Sequence, residues 1–386
     1  MRVTWHIPGP KARIIALATV LTAAVAVTAA VSGTSACAAV PLAQSGALAT
    51  NTRFYLDPYS AVAYWDTHQS TSPYQPAINA RIGSVPAGIW FTAYDPDRIT
   101  QQVEGIMSAA AAQGTVPVLV LYDIPEVNCA ANPPGAAPTI ADYESWATAF
   151  AAGLGGHKAI VIVEPDALSS QSCLNAQQAA QRDSAIAFAG RAVHKADASA
   201  RVYFDAGNSA WNSASVQAQR LAAADVEGSA DGIFSNVSNF RSTSDEVAYD
   251  EQVLADLGDP PGLHIVIDTS RNGNGPGDTW CDPSGRALGH LPTADTGNAL
   301  VDAYLWIKDP GQADGCAAPA GAFDPQLAYA LIANGPGGAG AYAVRTDGTA
   351  PAGAVPTQGA GTQPAQPTNQ APNATSTASA RAADCT

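Results

Sequence analysis

Charged side chains are scarce in this chain, 13% of 386 residues, and basic ones are the scarcest. Eighteen Lys and Arg stand against 33 Asp and Glu, a net charge of -15. That balance argues against a nucleic acid or an anionic membrane surface as partner. No cysteine pair stands at CxxC spacing, and no His/Cys cluster has the spacing of a zinc site, so no metal centre is expected. There is no phosphate-binding glycine loop and no internal repeat. What remains is a long chain rich in Ala, Gly, Ser and Thr, enough for one large domain plus tails.

The two ends read differently from the middle. Residues 1–38 have the order of a secretory signal: Lys11 and Arg13, an apolar alanine-rich run over 14–31, then Ala36-Cys37-Ala38 as a small-residue cleavage site. A membrane anchor is the rival, because the run is about long enough to span a bilayer. A lipid-modified Cys37 is disfavoured by Thr34, where such sites usually carry leucine. Residues 345–386 are Pro, Thr, Gln, Ala, Gly and Ser, a composition that forms no core and reads as a disordered linker. Its end at Asp384-Cys385-Thr386 looks like the junction into a missing carbohydrate-binding module; a plain disordered tail is the alternative. Six cysteines in an exported protein suggest disulfides. Cys129, Cys173, Cys281 and Cys316 lie inside the domain at 50–344, and the sequence by itself allows three pairings among the four.

The domain is organised around AIVIVEPDAL at 159–168. An apolar, β-branched run with no polar face suits a strand covered on both sides, and Pro165 ends it. Similar strands are predicted at 54–58, 88–93, 116–122, 201–205, 232–240, 264–268 and 302–308. Helices are predicted from Asp95-Pro96 to Gly114, and over about 141–154, 175–196 and 325–333. In the first of these Asp95 is the expected cap, and Ile99, Val103, Ile106 and Ala110 form one stripe. Strand and helix alternate, which predicts a parallel α/β sheet closed as a β/α barrel.

Six carboxylates recur just past the strands: Asp57, Asp123, Asp166, Asp205, Asp268 and Asp314. In such a barrel they converge on the carboxyl-terminal rim, where chemistry sits. One of them alone is as well read as a helix cap or a structural ion pair, and one tryptophan alone as core packing. Together they describe an acidic cleft with aromatic platforms. Indole faces stack on pyranose rings, carboxylates and amides take sugar hydroxyls, and a carboxyl pair cuts glycosidic bonds.

The motifs IVEPDAL, YFDAGNSAW, SNVSNF, VIDTSRNGNGP, WCDPSGRALG and AYLWIKDPGQADGC occur in an order that resembles glycoside hydrolase family 6, over about residues 52–335. The resemblance implies a distorted α/β barrel with fewer than eight strands, acting as a secreted cellulase that inverts the anomeric centre without cofactor or metal. It implies Asp166 as general acid, Asp314 as a second active-site aspartate and Tyr122 at the cleavage point. It implies Trp90, Trp211, Trp280, Lys308, Asn239 and Asp205 as substrate-binding residues, and the disulfides Cys129–Cys173 and Cys281–Cys316. Asp268 and Arg286 lie in family motifs but are equally read as loop-holding residues. Three cleft positions depart from the family pattern: Asn128 replaces an aspartate beside the acid, Asn208 a histidine, and Gln312 a glutamate. Val127 departs as well, replacing an arginine. The expectation is a monomeric, extracellular endo-β-1,4-glucanase, free of the membrane once its leader is cleaved. The alternative is a cellulose-binding protein on a weakened hydrolase fold, and a hydrolase of mixed-linkage glucan or xylan stands behind both.

Overall fold

The computed structural model describes residues 48–127 and 135–335. The signal at 1–38, the linker at 345–386, Asn128 and Cys129 lie outside the described residues.

One sheet of seven strands, ordered as in the chain and parallel throughout, forms the centre. The strands are β1 (Ile89–Phe91), β2 (Val118–Leu121), β3 (Ile160–Val163), β4 (Arg201–Asp205), β5 (Gly232–Ser235), β6 (His264–Asp268) and β7 (Val301–Leu305). The helices are α1 (Ala61–His68), α2 (Gln75–Ile78), α3 (Ile99–Gln113), α4 (Ile140–Ala152), α5 (Ala176–Ala196), α6 (Ala214–Ala223), α7 (Val226–Ser229), α8 (Thr243–Asp256) and α9 (Pro325–Ala333). A π-helical turn, Asn79–Gly83, follows α2.

Alternation along each strand separates two cores. Val118, Val120, Ile160, Ile162, Tyr203, Phe234 and Val266 share the inner cluster with Leu305 and Ile307. Leu119, Leu121, Val161, Val163, Val202, Phe204, Ile233 and Ile265 face outward against Met107, Trp146, Phe150, Ile186 and Val253 of the helices. Both faces are thus sealed, which is why the strands read as unbroken apolar runs. Burying each such side chain contributes about 1.5–3 kcal/mol. The sheet curls until its edges meet at one seam. There the Gly88 N–H donates to Trp306 O at 2.8 Å. A β-carbon on Gly88 would lie 2.5 Å from Ile307 O, so only glycine allows this approach.

Local chemistry sets the helix ends. Asn175 and Gln178 make a reciprocal capping box at α5, and Gly114 closes α3 at φ 63°. Four expectations need correction. The stretch 54–58 is a single bridge, Phe54 to Val116, not a strand. Its Leu56 is exposed, so no alternating face is buried there. The helix expected to start at Asp95 begins at Ile99, because Asp95 spends its carbonyl on a turn to Arg98 and Ile99 and its carboxylate on the Arg98 side chain. β5 stops at Ser235 rather than 240, since Asn236 and Ser238 adopt left-handed backbone angles. β7 ends at Leu305, three residues before Lys308.

Candidate active site

The site lies where β3, β4, β6 and β7 end. After β3 the chain passes through Glu164 at φ 52° and Asp166 at φ 74°. The Ala167 N–H donates to Glu164 O and the Ser170 N–H to Asp166 O, which closes a tight turn. Asp205, the last residue of β4, is buried beneath it and accepts N–H bonds from Ser169 (2.8 Å) and Gly207 (2.9 Å). The carboxyl of Asp166 is pushed up to about 7, chiefly by burial and then by the charge of Asp205; Lys308 opposes this and Asp314 adds to it. A carboxyl in that range holds its proton near neutral pH, as a general acid must.

Opposite stands a charged network from the segments after β6 and β7. Asp314 Oδ2 pairs with Arg271 Nη1 at 2.9 Å, while its Oδ1 has only Lys308 Nζ near it, at 3.8 Å. Burial, with Arg271 next, lowers the pKa of the Lys308 ammonium. The Lys308 N–H donates to Asp268, whose carboxyl burial raises to about 6. Arg271 also lies over the Phe240 ring, 4.3 Å from its centroid. Asp282 and Asp314 exchange backbone-to-carboxylate bonds, and Asp282 accepts from the N–H groups of Cys316 and Ala317 as well. The Cys281–Cys316 disulfide, Cα to Cα 5.9 Å, ties the same two loops covalently. Cys173 is described, but its expected partner Cys129 is not.

The remaining expected residues are less uniform. Trp90 and Tyr122 meet edge to face at 5.4 Å, and Trp90 Nε1 donates to Ile307 O. Trp211 packs over Gly207, whose φ is 70°. Asn208 and Asn239 are turned into their own loops: Asn208 Oδ1 accepts from the Ala210 N–H, and Asn239 Nδ2 donates to Val237 O. Gln312 Nε2 donates to Asp309 Oδ2 at 2.7 Å. The Asp309 carboxyl is raised to about 7 by burial. Trp280 is exposed.

Asp123 does not join the cleft. It continues the outward parity of Leu119 and Leu121 and lies buried beside Glu164 and Tyr143 of α4. Burial, then Glu164, raises it to about 8. Arg271, Asp282 and Asp309 carry site geometry that sequence reading assigned to no role. Each stood inside a motif already singled out, and only the contacts reveal the work it does.

These features define a carboxylate-based site on the rim of a seven-stranded parallel barrel. The sequence profile of the glycosyl hydrolases family 6 matches residues 49–345, and the chain belongs to that family. Among its relatives are Endoglucanase A of Thermobispora bispora, 44% identical over 75% of this chain, and Endoglucanase 1 of Streptomyces sp. (strain KSM-9), 49% identical over 66%. This chain spans 63% of the first relative's length and 71% of the second's. The solved endoglucanase Cel6 from Mycobacterium tuberculosis, in complex with methyl-cellobiosyl-4-deoxy-4-thio-β-D-cellobioside, superposes with a TM-score of 0.67 at 39% identity. That match covers 73% of this chain and 97% of the other.

Proposed function

We propose that this protein hydrolyses β-1,4-glucosidic bonds of cellulose, cutting within chains and inverting the anomeric centre. The observation that carries the reading is Asp166, held protonated to about 7 between Asp205 and the Lys308–Asp314 pair. Asp166 would protonate the leaving oxygen. A water on the far face of the sugar would attack the anomeric carbon and give its proton to a remaining carboxylate, for which Asp314 Oδ1, without a hydrogen-bond partner among the described residues, is the candidate. Trp90, Tyr122 and Trp211 would hold the sugar rings. The endo mode rests on the short segment after Lys308 and on the endoglucanase relatives.

The reading extends to an exported monomer with a cleavable leader, a linker at its far end, and a second bridge between Cys129 and Cys173. A binding protein on the same fold is favoured by one observation: Asn208 and Gln312 are both occupied by local hydrogen bonds. Reducing-sugar release from soluble carboxymethylcellulose separates the two. Asp166→Asn should lose at least about a hundredfold in kcat, the usual contribution of a general acid. Equal, near-background release by both forms, with binding retained, would establish the binding protein instead. A steep fall in viscosity per reducing end formed would support endo cutting, and NMR of the first-formed anomer would test inversion.

A further inference from the structure

Arg182 sits on α5, outside the cleft, with its side chain almost wholly buried. Its guanidinium donates to backbone carbonyls alone among the bonds described. Nη1 reaches Val127 O (3.3 Å), Ala167 O (3.2 Å) and Ser170 O (3.0 Å). Nη2 reaches Glu126 O and, at 3.5 Å, Pro125 O. These carbonyls belong to two different loops. Residues 125–127 follow β2 and lead into Asn128, while Ala167 and Ser170 lie in the turn that starts at Asp166. One rigid, planar fork therefore grips both loops at once, which a lysine's single nitrogen cannot reproduce.

The backbone gives this grip a purpose. Glu126, Glu164 and Asp166 all hold left-handed angles, φ 57°, 52° and 74°, without being glycine. Such conformations persist only where the surroundings over-determine them, and they gather at functional sites. Of these three, Glu126 gives its own carbonyl to Arg182, and two carbonyls that follow Asp166 in its turn, those of Ala167 and Ser170, are held by it. The carboxylates of Glu126, Asp183 and Glu164 surround the cation and offset the cost of burying it.

We propose that Arg182 is a positioning residue for the hydrolytic reaction: its guanidinium fixes the spacing between the Asp166 turn and the loop entering residue 128. The inference rests on Asp166 being the general acid. A site in which these loops drift apart keeps the Trp90 and Trp211 platforms, which lie on other segments, and loses alignment of the acid.

The test is Arg182→Lys, assayed on soluble carboxymethylcellulose with kcat, KM and pH–rate profile, beside Arg201→Lys and Asp166→Asn. Arg201 pairs with Asp231 at the start of β4, away from the rim, and controls for loss of stability alone. The expected result for Arg182→Lys is a kcat at least about tenfold lower, a KM within about twofold, and an alkaline limb moved to lower pH as water reaches Asp166. Arg201→Lys should lower the unfolding temperature with kcat and pH profile unchanged. A folded Arg182→Lys protein with the parent kcat and pH profile would overturn the proposal. So would a loss of activity that only tracks the unfolding temperature. If the lysine variant does not accumulate, the double variant with Glu126→Gly decides, because glycine accepts φ 57° without the grip. Recovery of folded protein with kcat still at least about tenfold below the parent supports the proposal. A folded double variant with the parental kcat refutes it, and so does failure of the double variant to fold, which would make the grip a requirement of folding rather than of positioning. Asp166→Asn keeps the two readings apart: if that variant stays active, the assignment of the acid has failed, whatever Arg182 does.

Discussion

At the scale of single residues, the site works by placing like charges where water is scarce. Asp205 lies at the bottom of this arrangement. It is buried and fixed by two N–H donors, and its charge helps hold the Asp166 proton. Replacing it by asparagine keeps an acceptor for one of those donors and removes the charge. Asp166 should then ionise more easily, and the alkaline limb of the pH–rate profile of Asp205→Asn should move to lower pH. A profile unchanged in position would mean that burial alone holds the proton. At Asp205 the sequence motif and the strand end coincide, whereas Asp314 stands nine residues past β7 and is marked by its motif alone. Asp123 looked equivalent, yet the side-chain period of two turns it to the helix side. That distinction depends on where a short strand stops pairing, to within one residue, and no local signal fixes it.

At the scale of elements, the strands were legible because their β-branched runs are sealed on both faces. Helices α6 and α8 are not legible in the same way, although Ser213 and Ser242 cap them and Ser242 is followed three residues later by Asp245. Their faces carry buried polar residues such as Gln217, Glu246 and Asp250, which blur the apolar stripe that periodicity relies on. The loops were legible only as composition. The 281–282 loop illustrates the loss: its aspartate holds three backbone N–H groups of the segment that carries Asp314. Asp282→Ala should therefore lower kcat several-fold and stability by about 1–3 kcal/mol, since charge-assisted bonds are lost together. Urea midpoints and kcat measured on one preparation would check both. Unchanged kcat would show that the disulfide alone suffices to place Asp314.

At the scale of the whole molecule, the buried carboxyls give stability a direction in pH. Asp123 (about 8), Glu164 and Asp166 (about 7), Asp309 (about 7) and Asp268 (about 6) all bind protons more tightly folded than unfolded. The folded state therefore holds more protons than the unfolded chain from about pH 4 up to about pH 8, and stability falls as pH rises through that window. His264, raised by its bond to Asp302, acts in the same direction through its own higher range. The unfolding temperature should accordingly be higher near about pH 5 than near about pH 8.5, with ionic strength held constant. The reverse order would mean that these groups relax or admit water before unfolding.

The seam between β1 and β7 bears on the order in which the molecule can be assembled. Strand neighbours in the sheet are neighbours in the chain, so each successive pairing spans a modest loop. The exception is the seam itself, where Trp90 is fastened to Ile307 across 217 residues. Loop-closure entropy places such contacts late in folding. The indole of Trp90, although its strand pairs early with β2, is thus fastened to Ile307 only once the segment after the last strand is in place, the same segment that brings Lys308 and Asp314. A nascent chain can complete most of its sheet, with Asp166 and Asp205 already at their strand ends, before the opposite wall of the cleft exists.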